Sequence, residues 1–276
     1  MFWLQLIVYL GPAVVLIIWA IRYQFGRTAL NDRPRHRYHI DPVQLGLVVM
    51  AFFCLGFVIQ LAHMVGSKFM VLPAVKDSPL SAQLHHAVSM TGGVIIVLIA
   101  AGTSFERGIR GLGVTSQRLG RDLFVALAAL WAAFPICQTI LVLTIFFLHW
   151  LKPDFEFAPH ETLQALLATP SLLGRILLVL TVVVVVPIGE EIFFRGYLQR
   201  FIGEWVRSPW ISIFLTSGLF ATAHFAQPVA IVPLFVFSLF LGYLMEKTGR
   251  LTAPVALHAM FNLTMVAATM MIGEGR

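Results

Sequence analysis

Charge is what this chain has least of. Asp, Glu, Lys and Arg together make 12% of its 276 residues, where a soluble domain carries about 25%. The shortage excludes an ordinary water-soluble fold. It also excludes a nucleic-acid surface, because the basic residues stand singly between apolar runs, with no basic stripe and no aromatic interleaving. Cysteine is nearly absent. Cys54 and Cys137 both lie within apolar runs and form no CxxC pattern, so each reads as a small buried hydrophobe and neither informs on redox compartment. No internal repeat or low-complexity segment is present, which weighs against a transporter built from repeated halves. HExxH is missing as well, and with it the commonest way of placing two zinc-binding histidines on one helix.

What the chain has is apolar sequence: 59% hydrophobic residues and a mean hydropathy of +0.87. The expected fold class is all-α, a polytopic membrane protein. A span needs about 20 apolar residues, and eight candidates emerge at 3–21, 43–64, 86–104, 123–150, 171–194, 209–226, 229–246 and 252–272. The first, Phe2–Ile21, lacks the basic n-region and small-residue cleavage site of a signal peptide, and Arg22 follows at once; it reads as a retained span.

The basic residues alternate between the connections. Arg22, Arg27, Arg33, Arg35 and Arg37 fall in one, Arg107, Arg110, Arg118 and Arg121 in the next but one, then Arg195, Arg200 and Arg207, then Lys247 and Arg250. Only Lys68, Lys76, Lys152, Arg175 and Arg276 fall on the other side. The positive-inside rule places the richer side in the cytoplasm and both termini outside, in a bacterial cytoplasmic membrane. The mixed-charge 151–170 connection, with Lys152, Asp154, Glu156, His160 and Glu161, ends in a short interfacial helix on this reading. It divides one membrane domain into four accessory helices over 1–170 and four core helices over 171–276.

That C-terminal part holds every candidate site residue. Glu190 and Glu191 directly follow the apolar run Leu177–Ile188, and an ionisable group in hydrocarbon costs roughly 2.5–3.5 kcal/mol on insertion scales, a functional-site hypothesis by default. Glu191 and Arg195 are four apart and share a helix face, so they can pair. Glu190 points about 100° away from that pair, which makes it the better general base and Glu191 the better structural carboxylate. The bland alternative is a solvated charge cluster at the end of a span. His224 follows Phe220 by four residues in a run of small residues that permits close helix packing. It is either a hydrogen-bonded packing residue or a partner of Glu190 in activating a water. His258 and Asn262 share a face and offer two donors, either as an oxyanion site or as interhelical glue.

Three motifs in order, Pro187-x-x-Glu190-Glu191-x-x-x-Arg195-Gly196, Phe220-x-x-x-His224, and Gly242-x-x-x-Glu246-Lys247-Thr248-Gly249 leading to Pro254-x-x-x-His258-x-x-x-Asn262, resemble the CAAX-protease and bacteriocin-processing family. These are glutamate-dependent intramembrane proteases, among them the Ras-converting prenyl endopeptidases. The resemblance covers about residues 187–263 and departs at no motif position. It implies that Glu190 and His224 activate a water, that His258 and Asn262 hold the oxyanion, and that Glu191, Arg195 and Phe220 support them. It implies no cofactor, with zinc on Glu190, His224 and His258 as the minority alternative. The partners are the lipid bilayer and a membrane-associated peptide or protein cut near the cytoplasmic side. A non-catalytic scaffold or immunity-type binding protein on the same fold is the other reading; substrate and oligomeric state are not encoded in any motif.

Straight helices do not bring these residues to one level. At 1.5 Å per residue, His258 lies about 10 Å and His224 about 20 Å from the cytoplasmic side. Convergence requires tilted or interrupted helices, with Gly189, Gly196, Gly218 and Pro254 as candidate bends.

Overall fold

A backbone in hydrocarbon must satisfy its own hydrogen bonds, so apolar runs of this length fold as helices. The computed structural model describes residues 2–34, 41–68, 79–155 and 161–273, and its regular structure is helical throughout. The first four helices are α1 (Phe2–Arg22), α2 (Pro42–Lys68), α3 (Pro79–Ser104) and α4 (Leu119–Leu151). The short α5 (Glu161–Ala168) is the helix expected in the 151–170 connection. A long helical stretch follows: α6 (Leu172–Leu180), a π-turn at Thr181–Val185, α7 (Val186–Glu191), a second π-turn at Ile192–Leu198, and α8 (Gln199–Val206). The chain ends with α9 (Pro209–Ala223), α10 (Ile231–Thr248) and α11 (Thr252–Gly273). Arg35, Arg37, Lys76 and Arg276 of the charge pattern, and Glu156 and His160 of the connection, lie outside the described residues.

Each of the eight expected spans has its helix. Among the described residues five stretches are long and apolar enough to cross a membrane: Ala87–Ser104, Leu119–Leu151, Leu172–Val206, Pro228–Thr248 and Thr252–Met271. The span expected at 209–226 is shorter than its apolar run. Ser208 caps its start by accepting from the Ile211 N–H at 3.4 Å, but the helix stops at Ala223 after 15 residues. That is about 22 Å of helix, against a hydrocarbon core of about 30 Å. Leu143, Phe146, Phe147 and Trp150 on α4 leave more than half of their surface uncovered, an apolar face suited to lipid rather than water. The protein is an integral, multi-pass membrane protein.

The chain packs as two units. In the first (Met1–His36, Gly113–Ala158, Leu198–Phe261) the core lies where α4, α10 and the start of α11 meet. Ala126, Ala133 and Cys137 are small enough to let α4 approach Phe237, Leu241, Leu244, Ala253 and Leu257. The second unit (Arg37–Leu112, Pro159–Tyr197, Asn262–Arg276) packs α3 against α2 and α7. A Cβ on Gly189 would stand 2.4 Å from the Met90 side chain, so this glycine is where α7 and α3 come closest. Leu166, Leu178 and Val266 form a smaller cluster in the same unit.

Candidate active site

The acidic motif is buried throughout. Glu191 and Arg195 have no exposed side-chain surface and Glu190 is 8% exposed. Arg195 Nη1 donates to Glu191 Oε1 at 3.2 Å, the pair expected from the four-residue spacing. The guanidinium also lies over the Phe194 ring, 5.8 Å from its centroid.

The charge of Arg195 is felt by both carboxylates, by Glu191 more than by Glu190. A π-turn begins at Ile192. Its backbone bonds reach from i to i+5, so each residue advances less than 100° around the axis and a residue five positions along swings back toward the starting face.

The first π-turn has its own partner. Asn262 Nδ2 donates to the Val182 carbonyl at 2.9 Å, where the regular i to i+4 ladder is interrupted. One amide proton of Asn262 is thereby committed to the backbone of the Thr181–Val185 turn, and an amide nitrogen carries two.

In the other unit, His224 is the residue on which α9 ends, with φ −98° and ψ 28°. Its ring folds back so that Nδ1 meets the Phe220 carbonyl at 2.8 Å. A carbonyl can only accept, so Nδ1 carries the proton in this bond, and the neutral ring presents Nε2 as an acceptor. The chain cannot continue α9 because Gln227 precedes Pro228 and is pushed out of the helical region.

Phe220 joins the two histidines. Its ring is fully buried, 4.9 Å from the His224 ring and 6.0 Å from that of His258. On its far side His258 meets the Phe237 ring edge-on at 5.4 Å. The early end of α9 and the back-folded His224 ring thus leave both histidines against the same phenylalanine. Phe237 is a supporting residue that the sequence hid: α10 is apolar all round, and nothing in Phe235, Phe237 or Phe240 marks the middle one.

Among the described residues no group of three or more His, Cys, Asp and Glu side chains is arranged to hold a metal ion.

Residues 172–264 match the family described as type II CAAX prenyl endopeptidase Rce1-like, and every candidate site residue falls inside the match. A stretch of 96 residues is 32% identical to an uncharacterized 24.3 kDa protein of Escherichia coli, covering 34% of this chain. The chain spans 44% of that relative's length. No solved structure matches.

Proposed function

We propose that this protein, whose segment 172–264 is Rce1-like, is an intramembrane endopeptidase that hydrolyses a peptide bond of a membrane-associated protein or peptide near the cytoplasmic side. Glu190 accepts a proton from a water that His224 Nε2 also holds. His258 and Asn262 then stabilise the tetrahedral oxyanion, where each donor is worth roughly 3 kcal/mol. Glu191 and Arg195 hold the acidic helix.

The observation that carries this reading is the His224–Phe220 bond of 2.8 Å. A carbonyl only accepts, so this bond favours the tautomer whose Nε2 can accept from a water and hold it for the general base Glu190. The second proton of the Asn262 amide supports the oxyanion role, since the Val182 carbonyl takes only one. A metal-free mechanism is supported by the lack of HExxH.

Glu190→Ala and His224→Ala test the proposal. Both should abolish turnover while leaving substrate binding nearly intact, because the lost interactions act on the transition state. A scaffold protein would keep its partner and lose nothing measurable in either variant.

A further inference from the structure

We propose that the first turn of α4 and the connection leading into it are the positioning element for His258. Asp122 and the main-chain carbonyls of Gly113 and Thr115 grip the turn from which α11 starts, and so set the height at which α11 presents its histidine. The inference rests on the protease reading for what His258 does, and on geometry alone for where it is held.

Four bonds converge on three consecutive residues at the head of α11. Arg250 Nε donates to Asp122 Oδ2 at 2.7 Å, and Arg250 Nη2 to Asp122 Oδ1, a two-point fork. The Leu251 N–H donates to the Gly113 carbonyl at 3.0 Å. The Thr252 hydroxyl donates to the Thr115 carbonyl at 2.9 Å. Asp122 has no exposed surface.

The two main chains approach closely because both carry glycine. Gly113 has φ +90° and Gly249 has φ +66°, and a Cβ on Gly113 would stand 2.7 Å from the Gly249 carbonyl oxygen. From below, Arg200 Nη2 reaches that same carbonyl at 3.4 Å.

His258 lies six residues beyond Thr252, about 9 Å along the axis. A helix is stiff over so short a distance, so any shift of its first residues reaches His258 almost undiminished. The contacts of Phe220 and Phe237 with the histidine ring are aromatic and tolerate sliding along the axis; the directed bonds at the head of α11 do not. The motif-free half of the chain thereby contributes Asp122 as a positioning residue.

The test uses the full chain in lipid nanodiscs with [15N]histidine. Arg250→Lys keeps the charge but replaces the fork with a single point, and Thr252→Val removes one hydroxyl. In folded protein of both variants the His258 ring signals should move while those of His224 stay. For a membrane peptide whose production depends on Glu190, kcat should fall by up to about 10²-fold with KM unchanged. Unmoved His258 signals and unchanged kcat in both folded variants would overturn the proposal, and if Arg250→Lys does not fold, Thr252→Val decides. A parent protein that cuts nothing while the His258 signals still shift counts against the protease reading and leaves the positioning standing.

Discussion

Arg195 and Glu191 form an ion pair of 3.2 Å in which neither side chain has any exposed surface, and the same guanidinium also feels the charge of Glu190. One buried cation thus balances two carboxylates, a demand that a single i, i+4 pair would not make.

That relationship ranks three variants. Removing one partner of a buried pair leaves an uncompensated charge, at roughly 3–5 kcal/mol. Arg195→Met strands both glutamates and should lower folded yield most, Glu191→Gln should follow, and Glu190→Gln should be mildest. Yield of monodisperse protein and unfolding temperature check the order. Equal losses for all three would contradict the division of labour between the two carboxylates.

Asn262→Ala should slow turnover by about 10²–10³, the usual loss for one oxyanion donor, and should also free the Val182 carbonyl. Measuring kcat beside amide exchange across Thr181–Val185 separates the two effects. Faster exchange with unchanged kcat would reduce Asn262 to a structural bond.

The orientation prediction follows from fourteen of the nineteen Lys and Arg residues falling in alternate connections. Reporter fusions after Arg33 and after Gln117 should both report cytoplasm. A report from the opposite side at either point would invert the proposed placement of the site.

In the connection after α1, Asp32 pairs with Lys247 at the end of α10, which also bonds the Ala29 carbonyl at 2.8 Å. The Lys247 hydrogen bond holds the Asp32 carboxyl below the usual carboxylate range. A folded-state value below the unfolded one stabilises the fold above the unfolded pKa, and that stability disappears as pH falls through the lower value. Asp32→Asn should therefore lower the unfolding temperature slightly at neutral pH, and the difference should shrink below about pH 4. Added salt should shrink it too, because Asp32 is exposed to solvent. A difference that grew on acidification would contradict the pairing.

The helices were legible because each apolar run is longer than a soluble helix needs. Their interruptions were not. The run through Phe220 and Phe225 stays apolar past Ala223, and only Pro228 signals that α9 must end. The π-turn at Thr181–Val185 sits in a threonine–valine run that reads like any other span. Of the candidate bends, Gly196 falls in a π-turn and Gly189 marks a close approach. Gly218 has nothing within 4 Å of its would-be Cβ, and Pro254 sits in the first turn of α11, where proline is tolerated.

Within the site, the Glu191–Arg195 pair could be read from spacing because both members lie on one helix. Phe237 and Asp122 could not, since their partners, His258 and Arg250, are distant in sequence. Asp122 also sat just ahead of the expected span at 123–150, where an acidic residue reads as the edge of a loop.

Chelation tests the choice between water activated by Glu190 and a zinc-bound water. EDTA and o-phenanthroline should leave the activity of the purified protein unchanged. Activity lost on chelation and restored by zinc would make Glu190, His224 and His258 ligands instead.

The most direct measurement compares the membrane peptidome of cells carrying the parent protein with that of cells carrying Glu190→Ala at equal abundance. The account predicts at least one new peptide terminus that requires Glu190 and that the purified parent protein, but not the variant, regenerates on the uncut substrate. Identical termini in both, or a terminus that the purified Glu190→Ala protein still produces, would contradict it.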